Sequence, residues 1–244
     1  MVLTSRSKKA RPRVTPGTRV YAVGDVHGRA DLLADVFTRI DADVRAYPAQ
    51  HAVEIFLGDY VDRGPASREV IERLIARGSE QETVCLKGNH EAFLLEFLSN
   101  PAVLPEWQRY GGLATLISYG LGPAMNADEG ERAALAAAFA RALPAAHLSF
   151  LHGLKPTFTC GDFLFVHAGV RPGVALAKQQ ESDLLWIRED FLLHEERFEK
   201  IVVHGHTPVA EPDVRPNRIN IDTGAYATNR LTCLVLEGDT VAFV

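Results

Sequence analysis

Two kinds of hydrophobic pattern alternate along the first hundred residues of this chain. Short, mainly apolar runs at residues 20–23, 53–57 and 83–86 have the length of buried strands. Between and after them, apolar residues recur at the spacing of an amphipathic helix, in segments that include Leu32, Val70 and Phe93. Strands that alternate with helices in this order predict an α/β architecture.

The second half of the chain resumes the strands after a break. Residues 101–152 are rich in alanine and poor in strand formers, with Pro and Gly interruptions, which predicts a helical cap inserted into the domain. The last two strand-like runs flank a turn-type sequence at 237–239 and predict a hairpin. The predicted strands of this half are 163–166, 200–203, 219–221, 231–236 and 240–244.

Composition excludes several classes of protein. The chain has 244 residues, 26 Lys and Arg, 31 Asp and Glu, and a net charge of −5, which is an ordinary globular balance. We predict one domain at 17–244, preceded by a disordered arm at 1–16 that carries five basic residues and no acid. The acidic body argues against a nucleic-acid partner, and no apolar run approaches the roughly 20 residues of a membrane span. Three scattered cysteines favour a reduced, cytoplasmic protein.

Five clusters of Gly with Asp, Asn or His each follow a predicted strand. Because ligands collect at the carboxyl ends of strands in α/β sheets, we expect the clusters to converge on one site. Taken singly, each cluster could be a turn, a helix cap or a hydrogen-bonded core histidine. Five in succession favour a shared function. The clusters are GDVHG at 24–28, GDYVDRG at 58–64, GNHE at 88–91, HAG at 167–169 and HGHT at 204–207.

The residue types in these clusters favour a pair of metal ions. Asp, His and Asn without Cys form a mixed oxygen and nitrogen ligand set that suits Mn, Fe or Zn. Asp25 and His27 are two residues apart, so on an extended segment their side chains point the same way. A carboxylate can bridge two ions, and two ions about 3.5–4 Å apart can activate water for attack on a phosphate.

The ordered motifs closely resemble those of the phosphoprotein phosphatase superfamily of binuclear, calcineurin-like metallophosphatases, most of all its short bacterial and phage members. The similarity extends over residues 19–236. It implies an α/β fold of the metallophosphoesterase type, a β-sandwich flanked by helices in four layers, with the helical cap at 101–152. It also implies two divalent cations, for which Mn is expected and Fe or Zn would serve.

The resemblance implies a role for each motif residue. Asp25 and His27 would hold the first metal, and Asp59 would bridge both. The second metal would be completed by Asn89, His167 and His206, whereas His204 is an extra histidine nearby.

The same resemblance implies the groups that act on the phosphate. Arg63 and Arg188 would bind its oxygens, a task that suits the planar guanidinium group. His90 would protonate the leaving oxygen and would be oriented by Asp62. Arg109 and Arg171 remain alternatives to Arg188.

These expectations lead to a metal-dependent phosphoester hydrolase, with a Ser/Thr protein phosphatase as the first interpretation. The substrate would then be a phosphoprotein or a small phosphoester. A symmetrical diadenosine tetraphosphate hydrolase, acting on a dinucleoside polyphosphate, is the alternative, because it needs the same core motifs. The modest chain length favours the protein phosphatase. A non-catalytic binding protein with the same fold is a third interpretation. The presence of every expected ligand argues against it.

Overall fold

The computed structural model describes residues 11–122 and 126–244. Strands and helices alternate through the first hundred described residues, as the hydrophobic pattern predicts. The strands are β1 Thr18–Val23, β2 His51–Phe56, β3 Thr83–Cys85, β4 Thr157–Cys160, β5 Phe163–Val166, β6 Ile201–His204, β7 Asp213–Val214, β8 Arg218–Asn220, β9 Cys233–Glu237 and β10 Thr240–Phe243. The helices are α1 Ala30–Ala46, α2 Ser67–Glu80, α3 Asn89–Ser99, α4 Leu104–Arg109, α5 Gly112–Ser118, α6 Glu129–Ala142, α7 Ala145–Gly153, α8 Glu181–Trp186, α9 Glu189–Leu192 and α10 Ala225–Thr228.

The described strands form two five-stranded sheets. The first has the order β10-β9-β1-β2-β3, with β1, β2 and β3 parallel. The second has the order β4-β5-β6-β8-β7, with β5, β6 and β8 parallel. The predicted hairpin is present, because β9 and β10 pair antiparallel around Gly238. Each sheet therefore contains three adjacent parallel strands that end on the same side, at one edge of the first sheet and in the centre of the second.

Alternating side chains of the strands build separate hydrophobic cores. In β1, Val20 and Ala22 pack between the two sheets, whereas Tyr21 and Val23 face the helices. On the far side, Val166 and its neighbours pack against α8 and α9. The order helices, sheet, sheet, helices confirms the predicted four-layer fold.

Several elements differ from the hydrophobic pattern at their ends. Helix α3 begins at Asn89, four residues before the first apolar residue that marks it, because its first turn is made by the polar GNHE motif. The short strands β4 and β7 were not predicted. Strand β7 has only two residues and pairs with β8, so no local periodicity marks it.

The predicted basic arm at 1–16 lies partly outside the described residues. Within them, Val14 is buried and its N–H donates to the carbonyl of Gly238. The N–H of Arg13 donates to the Asp162 carboxylate. Arg13 and Val14 therefore contact the domain within the segment predicted as the arm.

The described residues between 101 and 153 form helices joined by short turns and extend the core on the helix side of the first sheet. Trp107, Leu116 and Phe139 are fully buried there. No single helix in the described parts of the chain is long and apolar enough to cross a membrane. Only α6 and α7 taken together reach that length and composition, and they are bent by 98° at their junction.

Candidate active site

All six predicted metal ligands lie at the ends of parallel strands. The strands do not share one sheet: three belong to the first and two to the second, and the site lies where both sheets end on the same side. Five of the six ligands are less than 3% exposed and His206 is 6% exposed. Asp25 and His27 follow β1, Asp59 follows β2, Asn89 follows β3, His167 follows β5 and His206 follows β6.

The backbone at the site is held in an uncommon conformation. Of the seven described non-glycine residues with positive φ, five belong to the predicted site: His27, Asp59, Asp62, Arg63 and His206. Side chains larger than glycine avoid this region, at a cost of order 1–3 kcal/mol each. Such strain persists only where the surroundings impose it, and here it is concentrated in the residues predicted to form the site.

The carboxylate of Asp59 lies at the centre of the site. Its Oδ2 is 3.5 Å from Nε2 of His27 and 3.6 Å from Nε2 of His90. Its Oδ1 is 3.3 Å from Nε2 of His167. These atoms fall into two candidate metal-binding groups, His27–Asp59–His90 and Asp59–His167–His206, that share Asp59. A shared carboxylate is the arrangement that a bridging ligand requires.

Asn89 joins the second group through its side-chain oxygen. Its Oδ1 lies 2.9 Å from Nε2 of His167 and 3.0 Å from Nδ1 of His206. Nδ1 of His167 donates instead to the carbonyl of Leu57, which fixes the ring orientation and leaves Nε2 directed into the site. The geometry brings together one amide oxygen and two imidazole nitrogens.

Asp25 completes the cluster and has an unsatisfied oxygen. Its Oδ2 accepts the backbone N–H of His206, whereas Oδ1 is buried without a hydrogen-bond partner. Burial raises the pKa of this carboxyl, and the nearby carboxylates of Asp222 and Asp59 raise it further. Nε2 of His206 is also buried without a partner. A bound cation would pair with these buried atoms and would relieve the repulsion between the carboxylates. The residues therefore fit the implied metal pair.

The protonation states agree with ligation. Burial lowers the pKa of His27 to about 3 and that of His206 to about 2. The pKa of His167 is also lowered, chiefly by burial. Although burial opposes ionisation of Asp59, the imidazoles of His167, His90 and His27 lower its pKa. Neutral imidazoles and an ionised carboxylate are the forms that bind metals.

His90 differs from the other imidazoles in its partners. Its Nδ1 donates to Oδ2 of Asp62 at 2.7 Å. Burial alone would lower its pKa, but the carboxylates of Asp59 and Asp62 raise it. The Asp62 carboxylate is itself held by Nε1–H of Trp107 at 2.8 Å and by the hydroxyl of Thr115 at 2.5 Å. The helical insertion therefore fixes the orientation of this pair.

The predicted phosphate-binding arginines lie on two sides of the site. Nη2 of Arg63 is 3.3 Å from Nε2 of His90, and its guanidinium group lies 4.8 Å from the centre of the Tyr226 ring. Arg188 is exposed, and its charge contributes to the lowered pKa values of His167 and His206. The rival Arg171 is engaged by two carboxylates, Asp183 and Asp190.

Sequence reasoning missed Glu91 as a site residue, although it is the last residue of the GNHE motif. Its buried carboxylate accepts four backbone N–H groups from the two loops that carry the ligands. Oε2 accepts from Asp59 at 2.9 Å and from Gly88 at 3.0 Å, and Oε1 accepts from Tyr60 at 2.8 Å and from Val61 at 3.3 Å. Gly88 leaves the space this packing needs, because a Cβ there would lie 2.2 Å from Oδ1 of Asp59.

Comparison with known proteins agrees with this geometry. The family model for calcineurin-like phosphoesterases matches residues 18–243 of the chain. An asymmetrical bis(5'-nucleosyl)-tetraphosphatase PrpE of Anoxybacillus flavithermus is 28% identical in an alignment of 235 positions, gaps included, that covers 87% of this chain and 88% of that protein. A provisionally named Ser/Thr protein phosphatase of Schizosaccharomyces pombe is 42% identical over 78 residues, or 31% of this chain and 23% of that protein.

Solved structures share the fold. A crystal structure assigned provisionally as a diadenosine tetraphosphatase aligns with a TM-score of 0.63 at 20% identity. The alignment covers 96% of this chain and 98% of that one. At that identity the likeness concerns the fold alone.

Proposed function

The chain belongs to the calcineurin-like phosphoesterases, and from that premise we propose that it hydrolyses dinucleoside tetraphosphates asymmetrically. It is a metallophosphoesterase, and the finer question is its substrate. The observation that carries the proposal is the full-length similarity to proteins named as asymmetrical bis(5'-nucleosyl)-tetraphosphatases. This reverses the order of the sequence-based interpretations and replaces symmetrical by asymmetrical cleavage.

Chain length does not separate the candidates. Modest chain length by itself favours a protein phosphatase. The similarity to the tetraphosphatase of Anoxybacillus flavithermus, however, spans 88% of that protein. The match to the yeast phosphatase spans only 31% of this chain.

The proposed ligands fall into two sets. Asp25, His27 and Asp59 would hold one cation, although the candidate metal-binding group on that side contains His90 with His27 and Asp59. Asp59 would share the other cation with Asn89, His167 and His206. When bound, two divalent cations supply an activated water and neutralise charge on the phosphoryl oxygens.

The remaining roles belong to side chains outside the ligand set. Arg63 and Arg188 would bind the phosphate to be attacked and orient it, because a guanidinium group pairs with two phosphate oxygens. His90 would donate a proton from Nε2 to the departing oxygen, while its Nδ1–H stays bonded to Asp62. That bond fixes the ring and favours its protonated form.

The position of cleavage is the test. Diadenosine tetraphosphate is incubated with the Mn-loaded enzyme, and the nucleotides are separated by chromatography. Asymmetrical hydrolysis yields ATP and AMP in equal amounts. Formation of ADP alone would contradict the proposal and indicate symmetrical cleavage.

Two variants test the residue roles in the same assay. Asp59→Ala should lose both metal content and activity. His90→Asn should retain metal content but lose about 100- to 10,000-fold in kcat, the range of general acid catalysis. A metal-free Asp59→Ala protein that kept its activity would contradict the mechanism, as would loss of both metals from His90→Asn.

A Ser/Thr protein phosphatase is the second candidate. It is favoured by the local 42% identity to the yeast phosphatase and by the shared motifs. A phosphoserine peptide assayed beside diadenosine tetraphosphate separates the two candidates. A kcat/KM higher for the peptide would favour the phosphatase.

A further inference from the structure

Three aromatic side chains form a patch on the rim of the active site. Phe93, Tyr110 and Trp186, hereafter the rim patch, contact one another with ring centroids 5.2–5.9 Å apart. Phe93 is buried, whereas Tyr110 is 36% exposed and Trp186 is 37% exposed. Large exposed aromatic rings that lie together are uncommon away from binding surfaces.

The rim patch is held by three separate elements. Phe93 lies one turn into α3, whose first turn carries Asn89 and His90. Tyr110 directly follows α4 and stacks on Phe93 with an interplanar angle of 28°. Trp186 is the last residue of α8 and meets Phe93 edge to face at 88°. The exposed rings are therefore backed by packed structure, and little further ordering is needed when they bind a ligand.

The rim patch adjoins the groups that are proposed to bind phosphate. The ring of Trp186 lies 6.1 Å from that of His206, and the ring of Tyr110 lies 6.2 Å from that of His90. Arg188 follows Trp186 by two residues. A ligand anchored in the site by its phosphate thus has exposed aromatic rings beside it.

We propose that Trp186, supported by Phe93 and Tyr110, stacks against one nucleobase of the substrate. This inference rests on the proposed function, because it assigns the nucleoside end of a dinucleoside polyphosphate to the rim patch. Every base has a π-face and can therefore stack on an aromatic ring. The rim patch would thus favour nucleotides over simple phosphoesters without selecting adenine.

The experiment compares two ligands that differ only by the base. AMP and ribose 5-phosphate are measured as competitive inhibitors of p-nitrophenyl phosphate hydrolysis by the Mn-loaded enzyme. AMP should bind at least about fivefold more tightly, because base stacking contributes about 1–3 kcal/mol and 1.4 kcal/mol is a tenfold change. Equal inhibition constants for the two ligands would overturn the proposal.

Variants of Trp186 assign the difference to one ring. In Trp186→Leu the ratio of the two inhibition constants should fall to about one, and in Trp186→Phe most of it should remain. Tyr47→Leu is the matched control, because Tyr47 is 64% exposed and follows α1 at the opposite end of the first sheet. If Trp186→Leu weakened both ligands equally, the residue would have a structural role only and the assignment would be wrong.

Tryptophan fluorescence gives a test on the unaltered protein. The chain has two tryptophans, and Trp107 is fully buried whereas Trp186 is exposed. Stacking of adenine should quench the emission of Trp186, so AMP should quench and ribose 5-phosphate should not. Absence of quenching at saturating AMP would contradict the stacked geometry even if the variants failed to fold.

A phosphotyrosine ring is the other flat group that this surface could receive. O-phosphotyrosine and O-phosphoserine therefore form a second ligand pair. A preference for O-phosphotyrosine that exceeds the preference for AMP, and that is lost in Trp186→Leu, would reassign the rim patch to a peptide side chain. None of these measurements requires cleavage of diadenosine tetraphosphate, so failure of this inference and failure of the proposed function are distinguishable.

Discussion

The carboxylate of Glu91 links two ligand loops through the backbone. It accepts N–H groups from Asp59, Tyr60 and Val61 after β2 and from Gly88 before α3. Burial raises its pKa to about 7, with a further contribution from the charge of Asp59. Because Asp59 and Asn89 flank these bonds, the side chain of Glu91 sets the distance between two proposed metal ligands.

Glu91→Gln should destabilise the protein and lower its affinity for metal. The amide has one acceptor oxygen, and its NH₂ group would face backbone donors that lose their partner. A buried unsatisfied donor costs about 1–3 kcal/mol. The free energy of unfolding should fall by that amount when measured in denaturant at about pH 6, and by less at pH 8.5, because the raised pKa of about 7 means that the ionised, buried carboxylate itself costs stability at higher pH. The exposed Glu72→Gln is the control, and equal stability of the two variants would contradict this role.

At the same scale, sequence motifs predicted the proposed ligands but not their supports. The types and spacing of Asp25, His27 and Asp59 carry the metal chemistry, and the structure brings them together. The role of Glu91 depends on contacts with Asp59, Tyr60 and Val61, about thirty positions away. Such contacts leave no local pattern in the sequence.

At the scale of elements, the helical insertion holds the proposed acid pair. Trp107 on α4 and Thr115 on α5 both donate to the carboxylate of Asp62. The Thr115 hydroxyl also accepts the backbone N–H of Asp62. The insertion was predicted from its alanine-rich pattern as a cap, but that pattern did not show that its buried face positions His90 through Asp62.

Thr115→Val tests this coupling with little change in shape. Asp62 would lose one donor and would hold His90 less firmly, so kcat should fall by about tenfold, in line with about 1.4 kcal/mol for one lost hydrogen bond. Metal content and KM should change little, because the carboxylate of Asp62 bonds to His90 and to none of the six proposed metal ligands. The exposed Thr38→Val on α1 serves as control. Unchanged kcat in a folded Thr115→Val enzyme would show that the insertion does not position the pair.

At the scale of the whole molecule, two sheets that each contain three parallel strands bring distant loops to one place. Hydrophobic runs predicted eight of the ten described strands, since buried strands have continuous apolar sequence. The division of those strands between two sheets came from the resemblance, because periodicity does not show which strands pair. The loops after β1, β2 and β3 meet those after β5 and β6 only through packing of the interior core between the sheets.

Removal of metal should therefore weaken the whole fold. Without cations, the carboxylates of Asp25, Asp59 and Asp222 repel one another in a buried site, and burial with this repulsion raises the pKa of Asp25. A ligand that binds only the folded state at 100 times its Kd adds about 2.7 kcal/mol. Calorimetry should accordingly show a lower Tm after EDTA and recovery with Mn.

The pH dependence of the Mn effect identifies the residues responsible. The folded-state pKa of Asp25 is raised, so in the metal-free protein its contribution to stability is present at low pH and is lost as the pH rises through that pKa. Cations and protons compete for this carboxylate, and the rise in Tm on adding Mn should be larger at pH 8 than at pH 6. Asp25→Asn should reduce that rise and its dependence on pH. A rise in Tm of the same size in Asp25→Asn and in the unaltered protein would mean that Mn stabilises the fold somewhere other than where the two sheets end.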